Sequence, residues 1–323
     1  MAEKEKWLIT GGAGYIGSHV AYEFLSGGKD VIIFDSMING IESRIEFLRR
    51  EFSSEIQLIK EDIRDVDKFH EVVTRYKPTG IVHTAALKSV EESFKKEEEY
   101  LQVNYHATKT LLSILPGSSV TQFIFSSTAA VYAPTDMNQL VKETHPTIPI
   151  SNYGMSKLLA EQEISLAIQN PGLHGTSLRF FNAVGTRTPE LRDLGLNNLI
   201  PILIDNLYNQ VAPKIFGVDY PTPDGTCVRD YVDVRDIAKA HFLCSSMKYS
   251  LPPVMNVGTG LGYSVREVID LLNSVSTKKL PKPVEMARRQ GDASKVCADV
   301  SLIKKTLGFQ SEFTLADSIQ SII

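Results

Sequence analysis

Tyr153 and Lys157 stand four residues apart at the start of a helix-like stretch, Tyr153 to Ile168, and Thr128 ends an apolar run that begins at Gln122. Residues four apart share one helical face, so the phenol and the ammonium point the same way. Together the three groups can take a proton from an alcohol. The phenolate is the base, the ammonium stabilises it, and the threonine hydroxyl bridges it to the substrate. A Tyr-x-x-x-Lys pair is common by chance, so its weight depends on what else the chain provides.

It provides a glycine loop, Trp7-Leu-Ile-Thr-Gly11-Gly-Ala-Gly14-Tyr15-Ile16-Gly17-Ser-His-Val-Ala. An apolar strand-like run leads in and a helical pattern leads out, the context of a dinucleotide fingerprint. Glycines let the backbone turn and approach a pyrophosphate, and the helix N-terminus offers amides and partial positive charge. The spacing is Gly-x-x-Gly-x-x-Gly, and a tight turn without a ligand is the competing reading. The next strand-like run, Asp30-Val-Ile-Ile-Phe-Asp35, ends in a carboxylate 18 residues after Gly17. An acid there accepts hydrogen bonds from a ribose 2′-hydroxyl and repels a 2′-phosphate. No basic residue follows before Arg44, so NAD is expected rather than NADP. The alternative is an ordinary strand-end aspartate.

These residues need a frame. Strand patterns fall at 6–10, 30–34, 56–60, 80–84, 122–126 and 175–180, and helical patterns at 16–27, 40–52, 66–76, 97–115 and 154–169. Alternation of this kind predicts an α/β fold, a doubly wound, Rossmann-like parallel sheet. Ligands of such sheets sit at the carboxyl ends of the strands, where Gly11, Asp35, Asp62, Ala85, Thr128 and Phe181 all fall. Residues 1–181 are expected to form an NAD-binding domain. After Phe181 the prolines at 189, 201, 213, 221 and 223 mark a change of texture. Residues 182–323 read as a smaller α/β substrate domain. Tyr231–Met247 reads as helical, 254–257 as a strand, and parts of 231–257 as returning to the first domain.

A chain of 323 residues with 43% hydrophobic content can bury a sizeable core. Net charge is −4 with no long basic stretch, which argues against nucleic acid as a partner. No apolar run approaches membrane-spanning length. The N-terminus is charged and runs straight into a strand, so no signal peptide is expected. Cys227, Cys244 and Cys297 lack metal-ligand spacing and fit a reducing, cytoplasmic setting. No metal is expected, and His83, inside a strand pattern, reads as packed.

The motifs resemble those of the extended short-chain dehydrogenase/reductases and, within them, the UDP-glucose 4-epimerases, over nearly the whole chain. Thr10-Gly-Gly-Ala-Gly-Tyr-Ile-Gly-Ser-His19 matches the cofactor loop, so Gly11, Gly14, Tyr15, Ile16 and Gly17 are implied cofactor contacts. The resemblance implies further cofactor contacts at Asp35 and Asn39 (adenosine ribose), Asp62 and Ile63 (adenine), and Ala85, Lys88, Asn104 and Phe181, with Lys157 on the nicotinamide ribose. Phe125-Ser-Ser-Thr-Ala-Ala-Val-Tyr132 and Tyr153-Gly-Met-Ser-Lys157 match the active-site strand and helix. Thr128 stands where many of these enzymes have serine. Lys88, Thr128 and Tyr153 are implied to meet the sugar.

In the second half, Arg179-Phe-Phe-Asn182 implies a diphosphate contact by Asn182. Asn197-Asn-Leu199 implies nucleotide contacts by Asn198 and Leu199, and Ile215-Phe-Gly217 places Ile215 and Phe216 at the uracil. Asp224-Gly-Thr-Cys-Val-Arg-Asp-Tyr231 and Arg288-Arg-Gln-Gly-Asp292 imply Arg229 and Arg289 on the diphosphate and Asp292 on the ribose. Two guanidiniums suit a diphosphate because each is a rigid donor fork. Val296 is implied to line the sugar pocket, and its small size to leave room for an acetamido group. Related 4,6-dehydratases carry an Asp-Glu pair after the active-site hydroxyl, and UDP-glucuronate decarboxylases a glutamate, whereas Ala129-Ala130 follow Thr128 here. Those two activities and a non-enzymatic NAD-binding regulator are the alternatives.

The resemblance implies interconversion of UDP-galactose and UDP-glucose by an isomerase with tightly bound NAD, through oxidation at sugar C4 and hydride return in a homodimer. A free phenol has a pKa near 10, so making Tyr153 a base near pH 7 needs a shift of about 3 units, roughly 4 kcal/mol. One cation about 6 Å away at an effective dielectric of ~20 supplies roughly 3 kcal/mol. Lys157 and an oxidised nicotinamide together are therefore expected to provide the shift.

Overall fold

The computed structural model describes residues 4–134, 139–247, 249–289 and 292–323. The first half alternates as expected: β1 (Lys6–Thr10), α1 (Tyr15–Ser26), β2 (Asp30–Phe34), α2 (Glu42–Phe52), β3 (Gln57–Ile59), α3 (Val66–Tyr76) and β4 (Gly80–His83). The helical region that follows is interrupted. It runs α4 (Val90–Ser93), α5 (Glu97–Tyr100), a π-helical turn (Leu101–His106) and α6 (Ala107–Ser113), where one helix over 97–115 was expected. Such insertions mark sites where the regular ladder yields to a local constraint. Then come β5 (Gln122–Thr128), a 3₁₀ turn (Ala129–Val131), α7 (Asn152–Ala167) and β6 (His174–Phe180).

The remainder is β7 (Asn182–Val184), α8 (Leu199–Asn209), β8 (Lys214–Phe216), β9 (Val228–Arg229), β10 (Tyr231–Asp233), α9 (Val234–Ser245), β11 (Val254–Val257), β12 (Tyr263–Ser264), α10 (Val265–Val275), β13 (Val284–Met286), β14 (Lys295–Val296), α11 (Ser301–Leu307) and α12 (Leu315–Gln320). Tyr231–Met247 is thus not helical throughout. Tyr231, Val232 and Asp233 pair with Asn182, Ala183 and Val184 before the helix begins.

Seven strands form the main sheet in the order β11-β6-β5-β4-β1-β2-β3. β1 pairs in parallel with β2 and β4, β2 with β3, and β4 with β5. This is the Rossmann-like order, with its switch point between β1 and β4. The strands read as continuous apolar runs because both faces are covered by helices. Leu8, Ile81, Phe123 and Phe125 from the sheet pack with Phe69, Val72, Leu111 and Ile164 from α3, α6 and α7. Local signals agree: Asp65 caps α3 by accepting from the Lys68 amide, and Ser151 caps α7 by accepting from the Gly154 amide at 3.1 Å.

The chain divides into two compact units. One holds the chain up to Val131, Pro149–Arg179 and Ile237–Met255; the other holds Tyr132–Ile148, Phe180–Asp236 and Asn256–Ile323. The division near residue 181 therefore coincides with only one of several crossings, and 132–148 lies outside the unit in which 1–181 was expected to place it. In the second unit α8, α10 and α12 bury Leu203, Leu207, Val268, Leu272 and Ile319 in a separate core. Small sheets accompany them: β12-β9-β14, β13-β8 and β10-β7. Among the described residues, no helix is long and apolar enough to cross a membrane.

Candidate active site

Gly11, Asp35 and Phe181 each directly follow a strand of the main sheet, Ala85 lies two residues past β4, Thr128 is the last residue of β5, and Asp62 lies three residues past β3. At the switch point Gly11 has φ +68°, and a Cβ there would lie 2.7 Å from the Ala85 backbone. Only glycine combines that conformation with that approach. Helix α1 starts at Tyr15 with Gly14 at its N-cap and no side-chain cap, the kind of helix start that suits an anionic ligand. Asp35 is buried; its carboxylate accepts from the Ala13 amide at 2.9 Å and the Met37 amide at 2.8 Å. Burial raises its pKa, while those two bonds and the Arg44 charge oppose the rise. Each oxygen retains capacity for a ribose hydroxyl. Arg44 is itself 2% exposed and donates to the Ala13 carbonyl, so it is not presented to a 2′-phosphate. The bare helix start, the glycine contact and the carboxylate fit NAD. Asn39 is exposed in the loop after β2; Asp62 is paired locally with Arg64 at 2.7 Å; Ile63 is in the core; and Lys88 is exposed.

The candidate proton-handling trio, Thr128, Tyr153 and Lys157, lies around the first turns of α7. A Cβ on Gly154 would lie 2.3 Å from the Ala130 carbonyl oxygen, so the glycine lets the helix start press against the turn that follows β5. There the Thr128 hydroxyl hydrogen-bonds the Tyr153 phenol and favours its ionised form. Thr128 Oγ1 also accepts from the Ala130 amide at 3.1 Å. Lys157, one turn on, is 3% exposed and lies 4.3 Å from the centre of the Phe125 ring.

The electrostatics depart from the expectation of a lysine-lowered phenol. Burial pushes Tyr153 up to about 12, against the Thr128 bond. Burial likewise pushes Lys157 down to about 7, against the pull of Glu161. Both shifts favour neutral forms because desolvation penalises any charge. The two residues alone therefore do not make a base at neutral pH.

Asn104, implied as a cofactor contact, is 1% exposed in the π-helical turn. Its amide donates to the Leu87 carbonyl and to Ser156 Oγ, both at 3.0 Å, and its oxygen accepts from the Leu87 amide at 2.8 Å. Both donors are thus committed to tying the loop after β4 to α7. His83 is buried and bonded to Thr10 at 2.7 Å and Thr108 at 2.9 Å; burial, then the Lys157 charge, lowers it to about 3. It is a packed neutral imidazole. Among the described residues no group of three or more His, Cys, Asp or Glu side chains could hold a metal.

The second unit gathers another set. Arg229 donates to the Val228 and Ala293 carbonyls at 2.9 and 2.8 Å and pairs with Asp292 at 3.3 Å. Val296, half-buried on β14, is its register partner. Arg289 stacks on Phe216 at 4.0 Å. Ile215 is fully buried in the core, so any nucleotide contact there falls to its backbone. Asn182 and Asn198 are exposed and Leu199 is half-buried at the start of α8. Sequence reasoning missed Ser127, Glu161 and Arg179, a buried cluster on β5, α7 and β6. The available signal was Glu161 at the next turn of the Tyr153–Lys157 face.

Residues 7–258 match the NAD dependent epimerase/dehydratase family. A UDP-glucose 4-epimerase of Rhizobium leguminosarum bv. trifolii is 36% identical over 98% of this chain and 96% of its own length. The crystal structure of UDP-glucose-4-epimerase from Stenotrophomonas maltophila with bound NAD and formylated UDP-arabinopyranose superposes with a TM-score of 0.92 at 34% identity, covering 98% of this chain and 96% of that one. That of UDP-glucose 4-epimerase from Bifidobacterium longum in complex with NAD+ and UDP gives 0.89 at 34% identity, with 98% and 96% covered. With a family match over residues 7–258, near-complete coverage by its relatives and a Rossmann-like sheet, the chain belongs to the NAD dependent epimerase/dehydratase family.

Proposed function

We propose that this enzyme interconverts UDP-galactose and UDP-glucose with tightly bound NAD. The observation that carries the reading is the Thr128–Tyr153 hydrogen bond one turn from a buried Lys157, in a chain whose relatives bear that activity in their names. Tyr153 takes the proton of the sugar 4-hydroxyl, with Thr128 orienting it. Bound NAD would take the C4 hydride and give the same hydride back to the other face of C4, and when oxidised would add a positive charge that favours the phenolate. Arg229 and Arg289 hold the diphosphate while the 4-keto sugar turns over. Tyr153 returns its proton as the alcohol re-forms on the other face. Gly11, Gly14 and Gly17 admit the cofactor pyrophosphate, and Asp35 accepts its ribose hydroxyls. Ala129 and Ala130 carry no acid for dehydration or decarboxylation.

The test incubates the purified, NAD-loaded protein with UDP-galactose and no added reductant. UDP-glucose is the expected product; a 4-keto-6-deoxy sugar or carbon dioxide overturns the reading. UDP-N-acetylgalactosamine, run alongside, is expected to react because Val296 is small, and Val296→Tyr to lose that activity alone. We further propose a cytoplasmic homodimer, a state that sedimentation equilibrium checks.

A further inference from the structure

Tyr153, Lys157 and Glu161 follow one another at four-residue steps, so they line one face of α7. All three are buried. Glu161 receives Arg179 from β6 as a fork: Nε lies 2.9 Å from Oε1 and 3.1 Å from Oε2, and Nη2 lies 2.5 Å from Oε2. Ser127, beside Thr128 on β5, also donates to Glu161. Arg179 is 5% and Glu161 4% exposed. A charge pair buried this deeply costs more in desolvation than it returns unless its geometry is good, and replacing it with apolar residues is often neutral for stability. Its place in line with the proton-handling groups suggests a use.

Resting on the reading of Tyr153 as the base, we propose that Glu161 is a positioning residue that keeps the Lys157 ammonium charged. Alternating signs then run from β6 to the start of α7: Arg179 positive, Glu161 negative, Lys157 positive, Tyr153 negative as phenolate. Arg179 offsets the cost of burying the carboxylate. Glu161, one turn further along the same helical face, opposes the desolvation that strips Lys157 of its proton. Other neighbours of Lys157 leave this role to Glu161. Phe125 beneath it is apolar, and His83 on β4 is neutral. Charged residues on the helices packed against α7 pair at the surface, Lys96 with Glu92 and Glu99, and Lys109 with Glu163. Ser127 gives the same carboxylate a second task, pinning the end of β5 and so the Thr128 hydroxyl.

The test is a titration of the NAD-loaded protein that follows tyrosinate absorbance, with Tyr153→Phe subtracted to isolate the Tyr153 step. In Glu161→Gln the step should move to higher pH by about one unit or more, the effect of losing one nearby positive charge. One unit leaves about a tenth as much phenolate below the step, so kcat at neutral pH should fall about tenfold with KM for UDP-galactose little changed. Should Glu161→Gln fail to fold, the double variant Glu161→Leu with Arg179→Met removes both charges and should show the same upward movement. A step that stays in place in either folded variant overturns the proposal. If the step moves but the wild type does not epimerise UDP-galactose, the functional reading fails and this one stands. If the wild type epimerises and the step stays, only this one fails.

Discussion

The start of α7 and the arginines of the second unit handle charge in opposite ways. Around α7, Tyr153, Lys157, Glu161 and Arg179 are all buried, and desolvation is the largest influence on both Tyr153 and Lys157. In the second unit Arg289 and Asp292 are exposed and Arg229 half-buried, and these side chains pair with backbone carbonyls, one another and an aromatic ring. Proton transfer near neutral pH needs groups moved from their ordinary pKa values, and burial is the means of moving them. Holding a diphosphate needs forks that stay charged and stay hydrated until the ligand arrives. One region is tuned by excluding water; the other works by keeping it.

That contrast breaks most sharply at Tyr153. Tyr153→Phe should lower kcat by ~10²–10⁴ and leave UDP binding near wild type. Turnover comparable with wild type would remove the phenol from the chemistry and make the buried region merely structural. Arg229→Ala tests the other side. A hydrogen bond to a charged group contributes about 1.5–3 kcal/mol, so UDP should bind roughly ten- to a hundredfold more weakly, with kcat less affected. Calorimetry with UDP and steady-state kinetics together decide it; a loss in kcat alone would place Arg229 in the chemistry and blur the distinction.

The smallest effect sharpens the comparison through stability. His83 and His241 are held neutral by burial, at about 3 and about 4 against an ordinary 6.5. Below pH 6.5 the unfolded chain binds protons that the folded chain refuses, so stability is lost as pH falls toward the folded values. Each histidine contributes a slope of about 1.4 kcal/mol per pH unit. Asp236, raised to about 6 by burial, takes up a proton in the folded state below that pH and offsets part of the slope. Urea unfolding between pH 6.5 and 5 should therefore be shallower in pH for His83→Gln by about 1 kcal/mol per unit, because the unfolded imidazole is only half protonated at the upper end. An unchanged slope would mean that His83 is not a buried neutral group.

Much of the architecture was legible before any coordinates. Strands at 6–10, 30–34 and 254–257 fall where their apolar runs lie, and the helix over 66–76 carries its own aspartate cap. The cofactor loop, Asp35 and the Tyr–Lys spacing were equally plain, because each is a local pattern of residue types. The π-helical turn was not, since Leu101–His106 looks helical in either register and only the backbone i→i+5 bonding of the folded chain distinguishes it. Tyr231–Asp233 was read as helix because its strand identity depends on pairing with residues some fifty positions earlier.

The sequence by itself determined the fold class and the cofactor type and named the candidate proton-handling residues, since all three rest on short-range spacing and side-chain chemistry. Tertiary structure alone decided how those residues are charged. Burial reverses the simple estimate for Tyr153 and Lys157; of the groups that act against it Glu161 lies one turn along the same helix, while Thr128 from β5, and Arg179 from β6 that holds Glu161, are brought there by the fold. Desolvation depends on what surrounds a group in space, and spacing along the chain does not encode that.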